Sequence, residues 1–208
     1  MHVFIVFAHP SHQSLSHALM ERFVKGLTEA GHTHEISDLF AMGFNPDLSE
    51  AEYLRSSGRG DRNGVPADVC AEQAKIVRAD ALVFFYPLWW SDAPAKLKGW
   101  FDRVYTQGFA FDYVDGVHVL PGNFKKIRKA IAVCAAGHTA EHLEETGIAG
   151  AMRKLVVQDR LNNVGVENAE LRILGATYLP DLVSGYLESM ETMGREFAQE
   201  VERLAAKV

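Results

Sequence analysis

Two adjacent tryptophans mark the segment of this chain whose residues carry the most specific chemical signal. Trp89 and Trp90 follow the apolar run Ala81–Tyr86 and Pro87, and a helix is predicted from Pro94. Adjacent residues on an extended loop point in different directions, so both indoles cannot easily face one core. This favours at least one indole facing a ligand or a partner, although core or dimer contacts are the alternative. A flat ring compound suits such a surface better than a sugar or a metal ion.

Two further loops follow predicted strands. The loop His9–Ser16 is rich in hydroxyls and imidazoles and opens a helix, and free N–H groups at a helix N-terminus hold phosphate well. Ser11 and Ser14 could instead be helix caps and nothing more. The loop Ala135–His142 begins with two alanines and a glycine, which let backbone approach a ligand closely.

The three loops together describe a phosphate pocket, an aromatic surface and a backbone wall, because ligands of open α/β sheets bind beyond the strand ends. This combination is the shape of a flavin site. The sequence contains no evident nucleophile or carboxylate pair, which fits chemistry carried by a cofactor. His138 and His142 could each place a donor or a positive charge beside that cofactor.

Other nucleotide and metal patterns are missing. No GxGxxG or GxxxxGK[ST] motif is present, so a dinucleotide fingerprint and P-loop chemistry are disfavoured. The histidines form no HExxH or Cys/His zinc pattern, and surface or hydrogen-bonded imidazoles are the better interpretation than a metal site. The closely spaced ones are His9, His12, His17, His32 and His34.

The elements that position these loops alternate between strand and helix, which predicts a doubly wound parallel sheet. Ala41–Pro66 is expected to be mostly loop, and Phe109–Asn123 to be irregular. Ser91 or Asp92 could cap the helix after the tryptophans. In the third helix Val69, Ile76 and Val77 are the expected core contacts. The predicted strands are His2–Ala8, Glu35–Leu39, Ala81–Tyr86, Lys129–Ala135 and Glu170–Leu174; the predicted helices are Ser14–Ala30, Ser49–Leu54, Asp68–Ala79, Pro94–Tyr105, Glu141–Leu155 with an interruption near Gly147 and Gly150, and Ser184–Ala206.

Composition limits the class of protein. A chain of 208 residues that is 48% hydrophobic supports one α/β domain over 1–208. The net charge of −6, with both signs interspersed, disfavours a nucleic-acid partner. No signal-peptide pattern and no apolar run near the ~18 residues of a membrane span are present, so we expect a cytoplasmic protein without a membrane span. Cys70 and Cys134 are expected to be buried thiols rather than a disulfide.

The motifs resemble those of the NAD(P)H:quinone oxidoreductase (DT-diaphorase-like) family of flavodoxin-like flavoproteins. The resemblance spans most of the chain and is strongest in the segments Ala8–Ser11, Pro87–Val104 and Phe109–Phe111. It implies a flavodoxin-like three-layer αβα sandwich with a five-stranded parallel sheet of order 2-1-3-4-5. It also implies NAD(P)H as electron donor, a quinone or related small acceptor, and two-electron hydride transfer by a ping-pong mechanism.

The resemblance also assigns the site. His142 is the expected catalytic residue, stabilising negative charge that develops on the reduced flavin, and a homodimer with flavin sites at its interface is expected. The cofactor-binding residues are His9, Ser14, Leu15, Ser16, Pro87, Leu88, Trp89, Trp90, Ser91, Cys134, Ala135, Ala136, Gly137 and His142, and the substrate-binding residues are Phe109, Ala110, Phe111 and His138.

The chain departs from the family pattern at three places. His142 stands where the mammalian enzymes have a tyrosine, and a family histidine further on falls near Ile148. The loop 43–66 is shorter than in the mammalian enzymes, so FAD is favoured with FMN as the alternative. Cys134 and Ala135 replace two threonines.

Two other functions share this fold. One is a flavodoxin-type electron carrier, although a histidine-containing phosphate loop and a mild charge argue against it. The other is a regulatory flavoprotein subunit of a potassium efflux system.

Overall fold

A computed structural model of the chain describes residues 1–61 and 64–205. Its main sheet has five parallel strands in the order β2-β1-β3-β6-β7, which confirms the expected order of the five sheet strands. A separate antiparallel hairpin joins β4 and β5. The strands are β1 (His2–Phe7), β2 (Thr33–Asp38), β3 (Ala81–Pro87), β4 (Asp112–Val114), β5 (Val117–Val119), β6 (Lys129–Ala135) and β7 (Ala169–Leu174).

Helices cover both faces of this sheet. They are α1 (Leu15–Glu29), α2 (Glu50–Ser56), α3 (Ala67–Arg78), α4 (Ala95–Val104), α5 (Ala140–Glu145), α6 (Ile148–Arg153), a π-helix (Lys154–Leu161), a short 3₁₀ turn (Asn162–Val164) and α7 (Pro180–Ala205). None of the helices in the described part of the chain is both long and apolar enough to span a bilayer.

The central strands are apolar on both sides because both faces are buried. In β1, Phe4 and Val6 pack on the face that α3, α4 and α6 cover. Ile5 and Phe7 pack on the opposite face, against α1 and α7. This period-two division of one continuous apolar run produces the three-layer sandwich, and it places every strand-to-helix loop of the sheet at one edge.

Local caps explain where the first two helices begin. The Ser14 side chain accepts a hydrogen bond from the His17 N–H at the start of α1. Ser49 and Glu52 form a reciprocal capping box at the start of α2, where a short helix was predicted. At the other end of α1, Gly31 follows the C-cap Ala30 and adopts a left-handed φ of 79°.

Two expectations about single side chains are wrong. Val77 is 49% exposed because the buried stripe of α3 runs through Val69, Glu72 and Ile76, and Val77 is one residue off that stripe. Cys70 is likewise one residue past Val69 and is exposed, so only Cys134 is a buried thiol.

Three expectations about elements also need correction. Neither Ser91 nor Asp92 caps α4, since Pro94 occupies the cap position without a side-chain cap. The segment Phe109–Asn123 is not wholly irregular, because it contains the β4–β5 hairpin. In the predicted helix Glu141–Leu155, the interruption near Gly147 is confirmed by its left-handed φ of 76°, but Gly150 lies inside α6 and the last part of the predicted helix is the π-helix. The predicted end of the last helix, Ala206, lies outside the described residues.

Candidate active site

The loops that follow β1, β3 and β6 meet at one edge of the sheet, because these three strands are neighbours in it. Backbone hydrogen bonds join them. The Ala8 N–H donates to the Phe85 carbonyl at 3.0 Å, and the Leu88 N–H donates to the Ala135 carbonyl at 2.8 Å. The sheet therefore places the three predicted loops side by side.

The first loop presents unpaired donors. No hydrogen bond is found for the backbone N–H groups of His12, Leu15 and Ser16 within residues 1–61 and 64–205. The Ser16 hydroxyl at the start of α1 also lacks a partner there, although Ser16 is only 3% exposed. Nδ1 of His9 accepts a hydrogen bond of 3.0 Å from the N–H of Ser11, and Nε2 of His9 has no hydrogen-bond partner among the described residues. These donors match the needs of an anionic group at a helix N-terminus.

Histidines beside this loop make ordinary protein contacts. The rings of His12 and His17 stack with centroids 4.6 Å apart. Nε2 of His12 lies 2.6 Å from a carboxylate oxygen of Asp38. The described residues contain no group of three or more histidine, cysteine, aspartate or glutamate side chains placed to hold a metal ion.

The second loop forms a tight turn, Trp89–Asp92, which we call the tryptophan turn. The N–H of Trp89 donates to the Asp92 carbonyl at 3.1 Å, and the N–H of Asp92 donates back at 3.2 Å. The two central residues, Trp90 and Ser91, have left-handed φ values of 50° and 64°. This conformation normally requires glycine or asparagine and costs about 1–2 kcal/mol for each other residue.

In this turn the Trp90 indole lies entirely in solvent, with a relative exposure of 101%. Trp89 is 42% exposed, and its ring lies 5.8 Å from the ring of His9. Backbone strain of this kind is concentrated at functional sites. Neither indole is buried in the core, and the expectation that at least one of them faces a ligand or a partner stays a prediction.

An arginine that is distant in the sequence forms an ion pair with the tryptophan turn. Arg160, at the end of the π-helix, donates two hydrogen bonds of 2.9 Å to the two carboxylate oxygens of Asp92. Its guanidinium also lies 5.4 Å from the ring centre of Phe101. Burial alone would raise the pKa of Asp92, but the hydrogen bonds and charge of Arg160 lower it below its usual value. Sequence reasoning missed this pair, because 68 residues separate its members.

The third loop provides open backbone. A Cβ built on Gly137 would meet nothing within 4 Å, so no protein neighbour requires glycine there. The N–H groups of Gly137 and His138 have no hydrogen-bond partner in the described ranges. Both His138 and His142 are exposed, and their rings stack with centroids 4.8 Å apart. Thr139 caps α5 and thereby fixes the backbone of His142.

Some predicted contact residues lie in the interior. Cys134 and Ala136 are fully buried, and Pro87 is buried at the end of β3. Burial raises the pKa of the Cys134 thiol far above its usual value, so this group is an uncharged core side chain. Pro87, Cys134 and Ala136 therefore have only backbone to offer at this edge, whereas Leu88 and Ala135 are half-buried there.

The predicted substrate segment lies apart from the three loops within one chain. Ala110 is buried, and Phe109 packs against Phe124 with ring centres 5.6 Å apart. Phe111 lies 6.1 Å from the ring of the exposed His118. No direct hydrogen bond or ring contact among the described residues joins this segment to the tryptophan turn, although Phe111 lines one cavity with Arg160, the partner of Asp92.

Similar proteins indicate the family to which this chain belongs. A family model described as having the flavodoxin-like fold matches residues 1–205. A solved NAD(P)H:quinone oxidoreductase from Methanothermobacter marburgensis is 48% identical, with a TM-score of 0.84, over 95% of this chain and 96% of that one.

Two similar proteins also carry names of redox enzymes. A Haemophilus influenzae protein named as an uncharacterized NAD(P)H oxidoreductase is 33% identical over 183 residues, which are 87% of each chain. The ribosyldihydronicotinamide dehydrogenase (quinone) of Mus musculus is 32% identical over 164 residues, which are 73% of this chain and 70% of that one.

Proposed function

Because this chain belongs to the flavodoxin-like family of NAD(P)H:quinone oxidoreductases, we propose that it is a flavin-dependent enzyme that reduces a quinone with NAD(P)H. The observation that carries the flavin assignment is the convergence of three unlike surfaces at one sheet edge. These are the free donors at α1, the exposed indole of Trp90 and the open backbone at Gly137.

The residues at this edge fit the parts of a flavin. The N–H groups of Leu15 and Ser16, the Ser16 hydroxyl and Nε2 of His9 would hold the phosphate, because an anion is favoured at a helix N-terminus. Trp90 offers an unobstructed aromatic face for stacking. The N–H groups beside Gly137 would donate to the polar edge of the ring.

A bound flavin supplies hydride acceptance and two-electron transfer, and the protein supplies binding, orientation and electrostatics. His142 lies on the first turn of α5, beside the loop of Gly137. In its protonated form it would stabilise negative charge that develops on the ring, as donors do at an oxyanion. Because donor and acceptor would use one exposed space in turn, we propose a ping-pong sequence of two half-reactions.

We further propose a homodimer, in which Phe109, Ala110 and Phe111 of one chain line the substrate space of the other, with His138 as a polar contact. This arrangement accounts for the separation of the segment Phe109–Phe111 from the three loops within a single chain. The hairpin that follows this segment exposes apolar side chains, Tyr113 at 55% and Val117 at 63%. Exposed apolar surface of this kind is typical of an interface.

FAD is the proposed flavin and FMN is the alternative. The experiment that tests the proposal is the absorption spectrum of the purified protein, followed by chromatography of the flavin released on denaturation. A visible flavin band and released FAD are expected. A colourless protein that takes up neither flavin, oxidised or reduced, would overturn the flavin assignment.

Anaerobic stopped-flow mixing with NADH and with NADPH separates the enzyme from the two other functions. Rapid bleaching of the flavin followed by reoxidation with a quinone supports the enzyme. An electron carrier would not be reduced rapidly by a nicotinamide nucleotide, and a regulatory subunit would co-purify with a membrane transporter.

A further inference from the structure

Two stacked imidazoles lie beside the first loop, and neither of them has a part in the proposed reaction. The rings of His12 and His17 are nearly parallel, with an interplanar angle of 18°, and both pack near the buried ring of Phe7. Each imidazole faces a carboxylate. Nε2 of His12 lies 2.6 Å from Asp38, and Nδ1 of His17 lies 3.5 Å from Glu21, which is 66% exposed. The stack therefore joins the first loop and α1 to the end of β2.

The carboxylate of Asp38 is held in place by backbone. Its Oδ1 accepts hydrogen bonds from the N–H groups of Phe40 at 3.1 Å and Ala41 at 2.9 Å, and its Oδ2 meets His12. The side chain of Asp38 is 20% exposed, whereas that of His12 is 60% exposed. The negative charge thus stays beside the first loop whether or not His12 is protonated.

An open cavity of about 660 Å³ lies between the first loop and the turn that follows β2. Its wall contains His12 and also His9, whose Nε2 is proposed to meet the flavin phosphate. The described residues that line it include no lysine or arginine. The ammonium of Lys96 lies 5.1 Å from the ring centre of Phe40, but it donates to the Phe44 carbonyl. A phosphate at this loop therefore depends on imidazoles and backbone N–H groups for positive charge.

Protonation of His12 changes the charge of this region without breaking the contact. A neutral imidazole with its hydrogen on Nε2 can donate to Asp38, and the protonated form donates in the same way and gains an N–H at Nδ1. The neutral form leaves the negative charge of Asp38 uncompensated, and the protonated form cancels it. Histidine is the side chain whose charge changes near neutral pH. A second proton on His17 is opposed, because two like charges 4.6 Å apart repel.

We propose that His12 makes the affinity for a phosphate-bearing flavin depend on pH, because its protonated form neutralises Asp38. This role rests on the proposed function, since the flavin phosphate is the anion concerned. Binding of the phosphate favours the protonated form of His12, so binding is tightest on the acid side of neutrality. It weakens as pH rises and His12 loses its proton. His12 acts through the charge of Asp38 and is not a catalytic residue.

The test is equilibrium dialysis of the full-length protein, freed of any bound flavin, against FAD at constant ionic strength from about pH 6 to about pH 8. The pyrophosphate of FAD keeps its charge over this range, whereas the phosphate monoester of FMN titrates at about pH 6. The dissociation constant of FAD should rise about fivefold across the range, the effect of one unit charge several ångströms away near a surface. Riboflavin, which has no phosphate, should show no such rise.

Two variants separate the charge from the contact. Asp38→Asn keeps an oxygen for the N–H groups of Phe40 and Ala41 but removes the charge. It should bind FAD at about pH 8 as tightly as the natural protein does at about pH 6. His12→Gln keeps a donor for Asp38 but takes up no proton, so its affinity should stay at the weaker level throughout. Both profiles should be flat, one at each limit of the natural one.

His34→Gln is the matched control, because His34 pairs with Val3 near the start of β2 and lies away from the first loop. It should keep the natural profile. A flat FAD profile in the natural protein, or an equal slope with riboflavin, would overturn the proposal. The natural slope persisting in Asp38→Asn and His12→Gln would do so too, by assigning the proton to His9.

Equal weakening of FAD binding by Asp38→Asn and His12→Gln at every pH would show that the contact is only structural, which also contradicts the proposal. Melting temperatures establish that each variant is folded, and if one of them is not, the profile of the other decides. Failure of the proposed function has a different signature. In that case the natural protein binds neither FAD nor FMN at any pH.

Discussion

The interface between α1 and α7 and the loops at the sheet edge use similar residues in opposite ways. A Cβ on Gly194 of α7 would lie 2.1 Å from the Phe23 carbonyl oxygen of α1, so neighbouring backbone explains this glycine completely. Gly137 has nothing within 4 Å. Across the interface, Glu191 accepts hydrogen bonds from Arg22 and Lys25. At the sheet edge, the backbone N–H groups of Gly137 and His138 have no partner among the residues that the structure describes.

The difference teaches a way to separate fold from function. Where the neighbours of a residue explain why that residue type is needed, the residue contributes to packing. Where no described neighbour accounts for a residue at the sheet edge that carries the candidate site, as at Gly137 and Trp90, we propose that the reason lies in a bound molecule. The predictions below test this division, beginning with the largest effect.

Gly194→Ala is expected to lower the free energy of unfolding by about 3 kcal/mol, because α1 and α7 must separate to admit the methyl group. Urea denaturation followed by far-UV circular dichroism measures the loss. Gly185→Ala is the matched control on the same helix, since Gly185 has open space around it. It should stabilise the protein by up to ~1 kcal/mol.

Gly137→Ala makes the same substitution in the loops at the sheet edge. It should leave the unfolding free energy within about 0.5 kcal/mol of the natural protein while flavin affinity falls. Equal destabilisation by Gly137→Ala and Gly194→Ala would remove the distinction between the two regions.

His142→Ala is expected to slow flavin reduction by NAD(P)H by about tenfold or more, because the proposed imidazole donor beside the flavin ring is lost. Flavin stays bound, and anaerobic stopped-flow measures the rate. His142→Gln keeps a hydrogen-bond donor without the charge and shows which of the two matters. An unchanged rate in the alanine variant rejects the catalytic role of His142.

Trp90→Gly is expected to weaken flavin binding by about tenfold, the loss of one stacking partner. The same change should stabilise the flavin-free protein by about 1 kcal/mol, since glycine accepts the left-handed conformation without strain. Fluorescence titration and urea denaturation measure the two effects. Trp90→Phe keeps an aromatic ring and should retain most of the affinity. If Trp90→Ala protein purifies with its full complement of flavin, the stacking assignment is wrong.

Asp92→Asn removes the charged partner of Arg160 and should weaken flavin binding by about threefold, in keeping with a half-exposed ion pair. The pKa of Asp92 is lowered, so its contribution exists above the usual aspartate value of 3.8 and disappears only as pH falls through the lowered one. The ratio of the two affinities should therefore be constant from about pH 5 to pH 8. A ratio that approaches one near pH 5 would contradict the assigned ionisation.

The fold was largely predictable because central strands that are buried on both faces consist almost entirely of apolar residues. β1, β3 and β6 are continuous apolar runs, and the neighbouring helices begin after recognisable caps such as Ser14. The location of the candidate site followed from topology alone, since loops after neighbouring parallel strands must meet.

What the sequence could not provide depends on long-range contacts. Trp90 and Ser91 are neither glycine nor asparagine, so nothing local indicates a left-handed turn. In the sequence Asp92 is placed as a helix cap would be, and its real partner, Arg160, is 68 residues away.

Residues 154–161 form a π-helix, so the number of residues in this segment determines whether Arg160 can reach the tryptophan turn. A π-helix contains more residues in each turn than an α-helix, and removing one residue tends to restore the tighter spiral. If the segment keeps its π-helical spacing instead, deleting one residue just before Arg160 would turn the Arg160 side chain around the axis by the rotation of one residue, which is about 100° in an α-helix. The guanidinium would leave Asp92 while every other amino acid stayed the same. A one-residue deletion in this segment would therefore change the conformation of the tryptophan turn although neither Trp89 nor Trp90 is substituted.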